Sequence, residues 1–275
     1  MPPPSPPATR NPSANGSHPR FVEAAGYRLE TCRFGPGEAP LRMVLLHEGL
    51  GSVAAWRDFP ARLAGQLGEP VLAYSRPGYG QSDAPRYPRP PEFMHLEALE
   101  VLPALLRALE IERPVLVGHS DGASIALIHA GTFGPGTAGA AAGVAVLAPH
   151  LFVEEITVAE IAKVRNAFEP SGLASRLARY HRDPDATFHG WADAWLSPAF
   201  RDWSIEDAVA RIRCPLLAIQ GREDQYGTEE QIERLLRLDP GARALLLEDC
   251  RHVPHQEQPL AVLAALTGFV AGLGR

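Results

Sequence analysis

Apolar residues along this chain follow two rhythms. Short and nearly uninterrupted apolar runs occupy residues 41–46, 70–74, 113–118, 143–148, 215–220 and 242–247. Gly and Pro punctuate them, as expected of strands buried on both faces of a parallel sheet. Residues 21–35 turn near Gly26 and read as a hairpin. Between the runs the period lengthens. Leu96, Leu99, Leu102, Leu105, Leu106 and Leu109 mark one helical face, with Glu97, Glu100, Arg107 and Glu110 off it. Residues 123–130 and 260–270 read as further helices. Strand–helix alternation predicts an α/β fold, a mostly parallel central sheet flanked by helices. Ligands of such sheets bind at the carboxyl ends of the strands.

One stretch breaks the alternation. Residues 151–212 contain no strand pattern but several amphipathic pieces, and hold Trp191, Trp195 and Trp203. They read as a helical cap insertion over the sheet. The core is then 21–150 together with 213–275. Residues 1–20 are rich in Pro, Ser, Asn and Gly and read as a disordered tail.

Composition narrows the function classes. A chain of 275 residues, 45% hydrophobic, has ample material for one core. A net charge of −6 without a Lys/Arg cluster predicts no nucleic-acid partner. No apolar run is long enough for a membrane span, and the first residues lack a secretory signal, so the expected location is cytoplasmic and no membrane partner is expected. The three cysteines, Cys32, Cys214 and Cys250, form no CxxC pair and read as free thiols. No metal-ligand spacing appears, so neither metal nor organic cofactor is expected.

The strongest chemical signal is Gly118-His119-Ser120-Asp121-Gly122, between an apolar strand and a helix. A serine on such a sharp turn stands exposed above the sheet, and small residues two positions to either side let strand and helix pass closely. The helix start brings partial positive charge, and the Asp121 amide points where an oxyanion would form. His119 reads as packed structure. A serine needs a histidine to take its proton and a carboxylate to hold that histidine. Asp224 follows the strand ending at Gly221 and is the candidate acid, with Glu223 its rival. His252, after the next strand, is the candidate base, with His255 its rival.

In this order and context, Ser120, Asp224 and His252 resemble the triad of the α/β-hydrolase superfamily. The resemblance runs from Phe21 onward. Residues 46–52 resemble the family's His-Gly-x-Gly oxyanion loop, residues 74–83 its Arg-x-Gly-x-Gly-x-Ser turn, and residues 252–259 its closing His-x-Pro-x-x-Glu-x-Pro. It implies that the Gly49 amide is the second oxyanion donor beside that of Asp121. One position departs: Glu48 replaces the glycine after the loop histidine. Its carboxylate is expected to turn away and pair with an arginine such as Arg76. The other reading makes it a substrate-binding acid for a cationic group or a water. Trp191 and Trp195, four residues apart, can share a helix face and line an acyl pocket, and His255 is a further candidate for the pocket wall. Phe188, Tyr180 and Trp203 either join that pocket or glue the insertion down.

These features predict a serine hydrolase acting on a small-molecule ester or thioester. The alternatives are a carbon–carbon bond hydrolase of ring-cleavage products, whose usual Gly-x-Ser-Met-Gly-Gly elbow differs from the one here, and a ligand-binding receptor with slow turnover.

Overall fold

The computed structural model describes residues 19–274 apart from 38, 86 and 87. The expected tail therefore lies outside the described residues, except that Arg20 already belongs to the first strand. Eight strands form one sheet: β1 (Arg20–Ala24), β2 (Tyr27–Phe34), β3 (Met43–Leu46), β4 (Val71–Tyr74), β5 (Val115–His119), β6 (Gly143–Leu147), β7 (Leu216–Gly221) and β8 (Arg243–Leu247). Their spatial order is β1-β2-β4-β3-β5-β6-β7-β8. The β1–β2 hairpin and the β2–β4 pairing are antiparallel, and all later pairings are parallel. Ala25 and Gly26, with φ of 52° and 77°, make the hairpin turn.

The helices are α1 (Phe59–Leu67), α2 (Phe93–Leu96), α3 (Leu102–Ala108), α4 (Asp121–Thr132), α5 (Glu155–Asn166), α6 (Leu173–Leu177), α7 (Pro184–Leu196), α8 (Glu206–Val209), α9 (Glu230–Leu238), α10 (Pro254–Glu257) and α11 (Pro259–Gly272). Side chains alternate across the sheet, so strands β2 to β8 feed two cores. Met43 and Leu45 join α1 and α11 in one core. Val44 and Leu46 join α3, α4, α8 and α9 in the other. None of the described helices is long and apolar enough to cross a membrane.

The leucine face expected over 96–109 is not one face. A π-helical turn, Glu97–Val101, separates α2 from α3, and Leu96 and Leu99 point outward. Pro103 explains this: it has no N–H to give the Leu99 carbonyl. The Leu102 N–H reaches back five residues to Glu97 instead, shifting the buried face to Met94, Ala98, Val101, Leu102, Leu105 and Leu106. The run at 242–247 also differs in part. β8 lies at the sheet edge, and Arg243 and Ala244 are exposed.

Between β6 and β7 the chain passes through α5–α8, with one isolated bridge, Phe152–Ser204. α8 does not cover the sheet end. It packs on α4, where Gly131 leaves room only for the Ala208 backbone.

Candidate active site

The parallel strands β3, β5, β6, β7 and β8 present their carboxyl ends side by side, and the loops leaving β3, β5, β7 and β8 carry the predicted residues. Ser120 sits at the β5–α4 junction with φ 52° and ψ −118°, a region that L-residues rarely enter. Such strain costs about 1–3 kcal/mol and persists only where its surroundings impose it. Here a Cβ at Gly118 would strike the Gly122 carbonyl, and one at Gly122 the Leu46 carbonyl. The Ser120 carbonyl accepts from the Ala123 and Ser124 amides at 2.9 and 3.1 Å, which starts the helix at once.

The Ser120 Oγ lies 2.9 Å from His252 Nε2. His252 Nδ1 lies 2.9 Å from both carboxylate oxygens of Asp224. Asp224 Oδ1 also accepts from the backbone amides of Tyr226 and Gly227 at 2.8 and 3.3 Å. Burial pushes the Asp224 carboxyl up, but the His252 imidazole and these hydrogen bonds outweigh it and hold the group below its ordinary range. The carboxylate thus fixes the tautomer, with Nδ1 donating and Nε2 free to accept the serine proton. Glu223 stands outside this relay; its carboxylate accepts from the Cys250 amide at 2.8 Å.

A cavity of about 150 Å³ opens over the serine. Glu48, Gly49, Leu50, Ser120, Asp121, His150, Thr157, Ile161, Trp191, Trp195, Tyr226 and His252 line it. Neither the Gly49 nor the Asp121 N–H donates a hydrogen bond among the described residues, and both residues face the cavity. The loop holding Gly49 is strongly tied. The Glu48 carbonyl accepts from His47 Nδ1 at 2.7 Å, from Arg76 Nη2 at 2.8 Å and from the Gly51 amide at 3.1 Å. His47 Nε2 in turn accepts from the Arg76 amide at 3.0 Å. Burial, first, and the Arg76 charge push the His47 imidazole well below its ordinary range, which matches that single-proton pattern. Gly49 must be glycine because a side chain would enter the Trp191 indole.

Two expectations need correction. Glu48 does not pair with Arg76. The guanidinium is wholly buried beneath the loop, 3.7 Å from Asp121 Oδ2, while the Glu48 carboxylate turns to His119 Nδ1 at 3.4 Å. His255 is not a wall of the cavity. It packs 4.7 Å from Trp56 and 5.3 Å from Phe59, ring to ring, and burial lowers it to about 3. Trp191 and Trp195 do share a face of α7 and line the cavity. Trp195 Nε1 also donates to Asp121 Oδ1 at 3.1 Å. Phe188 stacks on Phe168 and Trp203 on Phe200, and neither they nor Tyr180 line the cavity.

Sequence reasoning missed His150 and Tyr226, whose rings lie 5.7 and 4.8 Å from that of His252. Burial holds His150 at about 3, so it is neutral. Its place just past β6, at the carboxyl end of a parallel strand, was the available signal.

Residues 43–266 match the model of the alpha/beta hydrolase family. The chain belongs to the alpha/beta hydrolase family. Solved structures similar to this hydrolase include VinJ, 25% identical over 94% of this chain and 99% of that one, TM-score 0.70. They include a thermophilic esterase from Thermogutta terrifontis, 20% identical over 94% and 100%, TM-score 0.72. The enol-lactonase from Burkholderia xenovorans LB400 is 22% identical over 92% and 100%, TM-score 0.70. No curated protein matches this hydrolase by sequence.

Proposed function

We propose that this alpha/beta hydrolase cleaves a small ester or thioester through an acyl-enzyme, with Ser120 as nucleophile, His252 as general base and Asp224 as its orienting acid. The observation that carries this is the unbroken relay from Ser120 Oγ to His252 to Asp224, 2.9 Å at each link, ending in the cavity. Ser120 attacks the acyl carbonyl carbon while its proton passes to His252 Nε2. The Gly49 and Asp121 amides donate to the oxyanion. Collapse expels the alcohol or thiol, which takes the proton back from His252. Water, deprotonated by the same histidine, then releases the acid.

Cavity size supports a small acyl group. A dry cavity of about 150 Å³ holds a molecule the size of benzene, and this one is of that volume. Trp191, Trp195, Ile161, Leu50 and Tyr226 make its wall predominantly apolar. The esterase and lactonase among the similar structures are in keeping with this reaction.

The test is labelling with a fluorophosphonate, with the adduct mapped by mass spectrometry. Labelling at Ser120, absent in Ser120→Ala and strongly slowed in His252→Ala, is the expected result. Folded protein that takes up no label at Ser120 refutes the proposal.

A further inference from the structure

Glu48 poses an electrostatic problem. A carboxylate one residue from an oxyanion donor opposes the negative charge that develops there. It lines the cavity, and its side chain is 26% exposed. Arg76 does not neutralise it, being engaged with Asp121. His47 on the same loop, His181 from the inserted segment, His150 after β6 and His255 on α10 surround it and His119. Burial lowers all four, so none supplies the compensating charge.

The answer lies in the His119 ring. Its Nε2 is 2.7 Å from the His252 carbonyl oxygen. A carbonyl only accepts, so Nε2 carries a proton and donates. Its Nδ1, buried with no hydrogen-bond partner in the ordinary sense, faces Glu48 Oε2 at 3.4 Å. In a neutral ring with its proton on Nε2, a nitrogen lone pair would face a carboxylate oxygen there. A second proton between the two atoms removes that clash.

We infer that Glu48 and His119 share a proton, and that the pair positions His252 through its backbone carbonyl while cancelling the charge beside the oxyanion site. The pair ties together the loop after β3, the nucleophile turn and the loop after β8. Glu48 is held below its ordinary range although burial opposes this, chiefly through the neighbouring His119 ring. His119 and Glu48 are positioning residues, and their role rests on the proposed serine mechanism.

The experiment measures kcat and KM for a p-nitrophenyl ester between about pH 6 and pH 10, in the wild type, Glu48→Gln and His119→Ala. Fluorophosphonate labelling of Ser120 runs in parallel. In Glu48→Gln the amide N–H donates to Nδ1 and cannot be lost, so its kcat profile is expected to differ in shape from that of the wild type. His119→Ala leaves the His252 carbonyl without its donor and lowers kcat about tenfold with KM within about twofold. His119→Gln, whose amide reaches the same carbonyl, recovers part of that loss. A Glu48→Gln profile that superimposes on the wild type's overturns the inference, whatever the folding of the His119 variants. Turnover in the wild type with no kcat loss in folded His119→Ala overturns it as well. A wild type that neither hydrolyses nor labels overturns the serine mechanism first and this inference with it.

Discussion

Arg76→Met tests the ties beneath the oxyanion loop. The guanidinium is fully buried, 3.7 Å from Asp121 Oδ2, and donates to the Glu48 and His47 carbonyls at 2.8 and 3.3 Å. Methionine keeps most of the stem volume, so the cavity left behind is small. What is lost is the charge. Removing one partner of a buried ion pair costs about 3–5 kcal/mol, because the other is stranded. The two carbonyl bonds overlap with that figure and are not added to it. A loss of about 4 kcal/mol lowers Tm by roughly 8–16 °C for a domain of this size. Urea unfolding followed by tryptophan fluorescence is a suitable assay, since Trp195 Nε1 donates to Asp121. The double variant Arg76→Met/Asp121→Asn removes the stranded charge and is expected to recover at least half the loss. A single variant destabilised by less than about 1 kcal/mol refutes the ion-pair argument. So does a double variant no more stable than the single.

Gly49→Ala is expected to lower kcat by about 10²–10³, because a methyl group there meets the Trp191 indole and displaces the amide; unchanged kcat on a small ester would place the oxyanion donors elsewhere. Glu97, in the π-helical turn, is raised by burial from 4.5 to about 7 despite the opposing charges of Arg76 and Arg89. The folded state therefore holds a proton that the unfolded chain has released, and its contribution is full below 4.5 and lost as pH rises through about 7. Wild-type Tm should fall over that window relative to Glu97→Gln, and parallel Tm curves would show that Glu97 does not titrate there.

The sheet was legible because its strands are buried on both faces, so each appears as an unbroken apolar run. The serine turn was legible because sterics allow little but glycine at 118 and 122. The helix face was misread at Leu96 and Leu99 because the missing Pro103 N–H moves the register by one residue, and leucine count carries no trace of that shift. The partner of Glu48 was misread because it depends on how the strand ends stack. Arg76 and His119 leave adjoining regions of the sheet, and only packing decides that the first goes beneath the loop and the second meets the carboxylate. Thr157, Ile161 and Tyr226 line the cavity from positions whose sequence context is ordinary.

The serine and its histidine are 132 residues apart in the chain. A ribosome adding about 5–20 residues per second emits the first roughly 7–26 s before the second. On the proposed mechanism, the nascent chain carries during that interval a serine whose base has not yet been made. The last parallel strands, β7 and β8, deliver Asp224 and His252 together, since both lie in the loops that leave them. On the proposed mechanism, acyl-transfer chemistry would begin only with the completion of folding.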